Sequence, residues 1–117
     1  MTAPAIEDFH AHIYFDPAQL HRARALAAEM AVRFGVPVGH FHNTPVGPHP
    51  RGSVQLTVPV AQFGEVAIWL SVNRAGLTVF AHASTDDMVA DHTHNLIWFG
   101  PSETLDLTIF RTLGPMS

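Results

Sequence analysis

Between Phe9 and Phe15 apolar and polar side chains alternate with a period of two, so Phe9, Ala11, Ile13 and Phe15 share one face of an extended strand while His10, His12 and Tyr14 share the other. Asp16 then stands where a helix N-cap is expected and Pro17 suits the first helical position. Leu20, Ala23, Leu26, Met30 and Phe34 recur near helical spacing up to Gly35, which predicts a helix over Pro17 to Phe34 with one buried stripe. Val36 to Phe41 reads as a short second strand. In Asn43-Thr44-Pro45-Val46-Gly47-Pro48-His49-Pro50 the prolines and the glycine forbid regular structure, and a stiff loop of this kind can fix a side chain.

Alternation returns over Ser53 to Val58, with Val54, Leu56 and Val58 set against Ser53, Gln55 and Thr57 as a third strand. Val60 to Arg74 reads as a second helix that buries Phe63, Val66, Ala67 and Leu70 and stops at Gly76. Ile68, Trp69 and Val72 broaden its apolar surface beyond one stripe. A fourth strand, Leu77 to His82, turns Leu77, Val79 and Ala81 inward and Thr78, Phe80 and His82 outward. Beyond a polar loop at Ser84-Thr85-Asp86-Asp87 lie two more strand candidates, Leu96 to Phe99 and Leu105 to Phe110. The order β-α-β-β-α-β predicts an α+β protein with a ferredoxin-like (split βαβ) antiparallel sheet, two helices on one face and extra C-terminal strands. The first strand is expected to be central, parallel to the third and antiparallel to the fourth. That topology would gather His10, His49 and His82 along one sheet edge, with His12 one step deeper.

The 117 residues suit one domain, 1–117, and show no repeat and no linker. The apolar runs are too broken to cross a bilayer, and the N-terminus has neither a basic region nor the apolar run of a secretion signal, so a soluble, cytoplasmic protein is expected. With a formal net charge of −4, six arginines and no lysine, the chain lacks the clustered positive charge that nucleic acid requires. Nine histidines and no cysteine exclude disulfides and thiolate zinc sites and direct attention to nitrogen and oxygen ligands. The His-x-His strand therefore points to a mononuclear metal site.

Taken together, His10-Ala11-His12-Ile13-Tyr14-Phe15, Pro45-Val46-Gly47-Pro48-His49-Pro50, Trp69-Leu70 with Asn73-Arg74, His82 before a Thr85/Asp87 loop, and Asp91-His92 with Trp98-Phe99-Gly100 resemble the DOPA 4,5-dioxygenase family over residues 8 to 100. The sequence departs from the family's His-Pro-x-Thr-Gly-Asp pattern at His82-Ala83-Ser84-Thr85-Asp86-Asp87, which leaves room for a substrate range different from that of the founding members. The resemblance implies extradiol opening of a catechol by dioxygen at Fe(II), with another divalent ion such as zinc able to replace it in a purified sample. Neutral imidazoles suit ferrous iron and, used sparingly, leave coordination positions open. The implied metal set is drawn from His10, His12, His49 and His82, with a carboxylate from Asp91, Asp87 or Glu7 as an alternative third ligand. His12 or His92 is then the acid/base, and Asp91 can equally orient His92. Arg74, or less favourably Arg51, would hold a substrate carboxylate, while Tyr14, Phe80 and Trp98 would line the aromatic ring's site.

Blander readings stand beside each assignment. Histidines on a solvated sheet face need no metal, the proline-rich loop can be purely structural, and Arg74 can serve the dipole at a helix C-terminus. Phe80 and Trp98 suit a core or a dimer interface equally well, and His21, His40, His42 and His94 receive no role. An open sheet face is seldom left bare in water, so a homodimer using the second helix or the C-terminal strands is expected. Three classes follow: a metal-dependent extradiol dioxygenase acting on a small aromatic substrate, a cofactor-free dimeric α+β barrel oxygenase or isomerase, and a metal- or ligand-binding module without turnover.

Overall fold

The computed structural model of the protein describes residues 4–113. Residues 1–3, part of the N-terminus read above, and residues 114–117 lie outside the described residues. Asp8–Phe15 forms strand β1, with residues 11–15 wholly buried. Pro17–Gln19 makes a single 3-10 turn, closed by the Gln19 side-chain oxygen accepting from the Asp16 amide at 2.9 Å. Helix α1, Leu20–Phe34, continues from it and ends at Gly35, whose φ of 68° is open to glycine at little cost. Strand β2 is Gly52–Val58, helix α2 Val60–Val72, strand β3 Thr78–Ser84, a single-turn helix α3 Met88–Asp91, and strand β4 Leu96–Phe99.

The four strands lie in the order β2-β1-β3-β4, and every neighbouring pair is antiparallel. This is the ferredoxin-like α+β arrangement expected, with one correction: β1 runs antiparallel to the Ser53–Val58 strand, Phe9 facing Val58 and Phe15 facing Gly52. In a split βαβ unit the parallel partner of the first strand is the second, and here that second strand is vestigial. The expected Val36–Phe41 strand reduces to two isolated bridges, Val38 to Leu56 and His42 to Ser53. Pro37 sits within it with no N–H to give to a ladder. The Leu105–Phe110 strand is also not formed. Asp106 accepts from the Thr108 amide (3.0 Å) and hydroxyl (2.6 Å), which starts a 3-10 helix over Leu107–Leu113 instead.

The core lies between the sheet and the two long helices: Ala11, Ile13, Phe15, Val54, Leu56, Val58, Val79 and Ala81 meet Ala23, Leu26, Met30, Phe63, Val66 and Leu70. The opposite face is not left bare. The Asn43–Pro50 loop and the chain after Gly100 fold over it, with the Asp106 amide bonded to the Pro48 carbonyl at 2.9 Å. Met30→Ala, at a 0% exposed site, should lower stability by roughly 2–5 kcal/mol, whereas Val32→Ala, 89% exposed on the same helix, should change it by less than about 0.5 kcal/mol in urea denaturation.

Candidate metal centre

Period-two alternation in β1 and direct cross-strand pairing decide which side chains share the covered face. His10 faces His82 on β3 and Thr57 on β2, His12 faces Phe80 and Gln55, and Tyr14 faces Thr78 and Ser53. Phe80 in turn faces Trp98 on β4. The His10 and His82 rings are 5.1 Å apart, and the Nε2 atoms of His12 and His82 approach to 3.2 Å. One ligand-capable atom from each of His10, His12 and His82 lies within 4.8 Å of the other two. His82 Nδ1 is 2.9 Å from the Ala83 carbonyl. A carbonyl only accepts, so the proton is on Nδ1 and the Nε2 lone pair is turned towards His12.

His49 stands beside this triad rather than in it. Its amide bonds the Val46 carbonyl at 3.0 Å across a turn through Gly47 and Pro48, and Gly47 has a φ of 54° that a side chain would strain. The proline-rich loop thus fixes a side chain as expected, but by another route: β2 begins beside the end of β1, so the loop enters at Tyr14 and reaches back over the face. His49 Nδ1 is 2.8 Å from the Tyr14 hydroxyl and its ring is 4.2 Å from that of His12. His12 and His49, with His42, Ser53, Gln55 and Thr57, line a cleft of about 420 Å³. That is within the usual size of a small-ligand site.

Burial sets the electrostatics. Desolvation, and then the mutual repulsion of the other imidazoles, hold His12 well below the ordinary histidine range. The same causes lower His49 to about 4; desolvation also takes His82 to about 4, partly offset by its bond to the Ala83 carbonyl. His92, whose Nδ1 lies 2.7 Å from the Met88 carbonyl and whose ring is 4.3 Å from His82, is lowered by desolvation too. Burial, and next the nearby Glu103, raise Tyr14, so its phenol keeps its proton. The cluster is a set of neutral nitrogen donors at neutral pH.

Other anticipated residues are placed apart from the triad or engaged elsewhere. Asp91 is buried, but its oxygens accept from the Thr85 amide (2.7 Å) and hydroxyl (2.7 Å) and from Asn95 (3.2 Å), which ties the loop before α3; it does not bond His92. Those bonds outweigh desolvation and hold its carboxyl below the ordinary range. Arg74 donates to the Leu70, Ser71 and Leu77 carbonyls and so closes the C-terminal end of α2. Arg51 grips Glu103 with two bonds, Nε to Oε1 at 3.1 Å and Nη2 to Oε2 at 2.7 Å, and reaches Asp16 at 3.2 Å. Phe80 is fully buried as the floor beneath His12, His82 and Trp98, and Trp98 packs on it at 4.7 Å. Asp87 accepts from the Ala90 amide as the cap of α3.

Sequence reasoning overlooked two carboxylates. Glu103 anchors the covering segment through Arg51, a pairing between positions far apart in the chain. Asp8 extends the period-two pattern one step before His10, and its Oδ1 lies 3.3 Å from His10 Nε2.

An antiparallel α+β sheet with neutral imidazoles gathered on its covered face defines a small protein with a metal-competent centre. Residues 9–109 match the pattern of the Dopa 4,5-dioxygenase family. The chain belongs to that family. It is 33% identical over 111 residues to DOPA 4,5-dioxygenase of Amanita muscaria, covering 87% of this chain and 49% of that protein. It is also 33% identical over 118 residues to an uncharacterized 21.2 kDa protein of Botryotinia fuckeliana, covering 90% of this chain and 64% of that one. The chain thus spans about half to two thirds of the length of these curated relatives. A crystal structure from Nostoc punctiforme, provisionally named a dioxygenase, superposes with a TM-score of 0.89 at 38% identity, covering 93% of this chain and 95% of that one.

In the metal-free protein, His49 and His82 titrate near 4 against an ordinary 6.5, so the unfolded chain binds more protons between those values. Their contribution to stability is complete above about 6.5, falls as the pH drops through that window, and is gone below about 4. The urea midpoint of chelator-treated protein should therefore be lower at pH 4.5 than at pH 7.5. Equal midpoints would mean that these imidazoles charge without penalty.

Proposed function

We propose that the protein is a metal-dependent extradiol dioxygenase whose substrate is a catechol such as DOPA or a related dihydroxyphenyl compound. The observation that carries this reading is the convergence of His10, His12 and His82, with ligand atoms within 4.8 Å of one another, in a chain of the Dopa 4,5-dioxygenase family. These residues fit a divalent metal because all three offer an imidazole nitrogen, burial keeps His12 and His82 neutral, and His82 already has its tautomer held by the Ala83 carbonyl. Ferrous iron bound there would supply open coordination positions and a path for electrons from the diol to dioxygen.

The chain's own residues supply the rest. The cleft beside His12 admits a ring, and Ser53, Gln55 and Thr57 offer polar partners along its wall. The covering loop and the chain after Gly100 keep bulk water from Phe80 and Thr78, both buried although they face away from the core. His49 lines the cleft, and in the tautomer that donates its Nδ1 proton to the Tyr14 oxygen its Nε2 would be free to take a hydroxyl proton. His92 flanks the triad on the His82 side as a second proton acceptor. With Arg51 bonded to Glu103 and Arg74 to the end of α2, recognition of a substrate's side chain falls to the cleft rather than to an arginine clamp.

Anaerobic loading with ferrous iron, followed by air and L-DOPA or catechol, should give a yellow semialdehyde. His12→Ala and His82→Ala should lose both bound iron and ring cleavage. His49→Gln should keep iron but lower kcat by roughly 10²–10⁴-fold. Turnover that survives complete removal of metal would replace this reading with the cofactor-free oxygenase.

The exposed apolar pair Ile68 and Val72, 75% and 81% accessible one turn apart on α2, supports a homodimer through that helix. Light scattering should give twice the chain mass, and Ile68→Arg should return the monomer.

A further inference from the structure

Among the described residues no side-chain hydrogen bond explains the placement of the Asp8 carboxylate. It shares the face of β1 with His10, His12 and Tyr14, being two residues before His10. Its Oδ1 is shielded from solvent and accepts no hydrogen bond among the described residues, although His10 Nε2 lies 3.3 Å away, out of line for one. A shielded carboxylate oxygen without a donor is costly, and the nitrogen 3.3 Å from it belongs to a member of the histidine triad. Other carboxylates near the covered face are engaged: Asp91 by Thr85 and Asn95, Glu103 by Arg51. Asp8 is not itself within the close donor group, which comprises His10, His12 and His82.

We propose that Asp8 is a positioning residue that accepts a hydrogen bond from the Nε2–H of His10 and so leaves the Nδ1 lone pair of that ring for a divalent cation held with His12 and His82. This rests on the metal reading given above. A neutral imidazole has one N–H and one lone pair, so an acceptor at Nε2 decides which nitrogen is free to ligate. His82 receives the same service from the Ala83 carbonyl at 2.9 Å. The two directly paired rings, His10 on β1 and His82 on β3, are thereby held in fixed tautomers from outside the site. A small rotation of the His10 ring brings its N–H into line and gives the orphaned oxygen its donor.

The test is cobalt(II) binding to the full chain, read by its visible absorption and by competition with a chromogenic chelator, beside the urea midpoint of each metal-free variant. Asp8→Ala should weaken binding by roughly 10–100-fold, and Asp8→Asn, which keeps a neutral acceptor, by less. Neither should lower the metal-free midpoint, because Oδ1 makes no hydrogen bond among the described residues that the replacement would break. In a His10→Ala background, Asp8→Ala should cost nothing further, since the carboxylate acts through that ring. Unchanged affinity in Asp8→Ala, additive losses in the double variant, or a midpoint that falls in step with affinity would each overturn the assignment. If the unaltered protein binds no cobalt, the metal reading falls and this one with it; if it binds and Asp8→Ala binds equally, only the role of Asp8 is lost.

Discussion

The direct pairing of His10 with His82 across β1 and β3 is the constraint on which the rest of the site depends. In an antiparallel pair, residues opposite one another project to the same side, so this one register sets Phe80 beside His12 and Thr78 beside Tyr14 as well. A slip of one residue would turn the imidazoles into the core and Ile13 and Val79 out of it, exchanging apolar burial for buried polar rings. The hydrophobic face therefore enforces the geometry of the polar one. No metal is needed to hold the register, because the Ile13, Val54, Val79 and Ala81 layer packed on the two helices already does so.

Gathering imidazoles under cover has an electrostatic consequence. Water stabilises a charged imidazole far better than a sheet face lined by Phe80 and Trp98 can, so His12, His49 and His82 stay neutral and keep their lone pairs. The donor set of His10, His12 and His82 is compatible with a metal site in a chain of the Dopa 4,5-dioxygenase family.

The cover itself is made by parts of the chain with little regular structure. Arg51 and Glu103 join the loop before β2 to the chain after β4 with a two-bond fork, Asp106 bonds Pro48, and Phe110 packs on His92 at 4.8 Å. Guanidinium and carboxylate meet here with matched planar geometry and partial shielding from solvent, which favours them over an exposed ion pair. The most exposed large apolar side chains lie on the two long helices, Val32 on α1 and Ile68 and Val72 on α2, whereas Tyr14 and Phe80 beside the histidines are fully buried.

Much of this protein was legible in its residues taken a few at a time. The alternation from Phe9 to Phe15, the helix from Asp16 to Gly35 and the apolar stripe of α2 are local steric patterns, and the structure follows them closely. The same alternation put His10, His12 and Tyr14 on one face, and read one residue pair earlier it would have added Asp8. Strand direction, the cover over the histidines and the posture of His49 were not legible in that way. Each depends on partners distant in sequence, as with Tyr14 and His49 or Arg51 and Glu103. By itself the sequence determined which side chains could face together, because backbone sterics repeat every two or every 3.6 residues. Only the tertiary structure decided which of those faces met and what covered them, because such contacts form only after the chain between them has closed its loop.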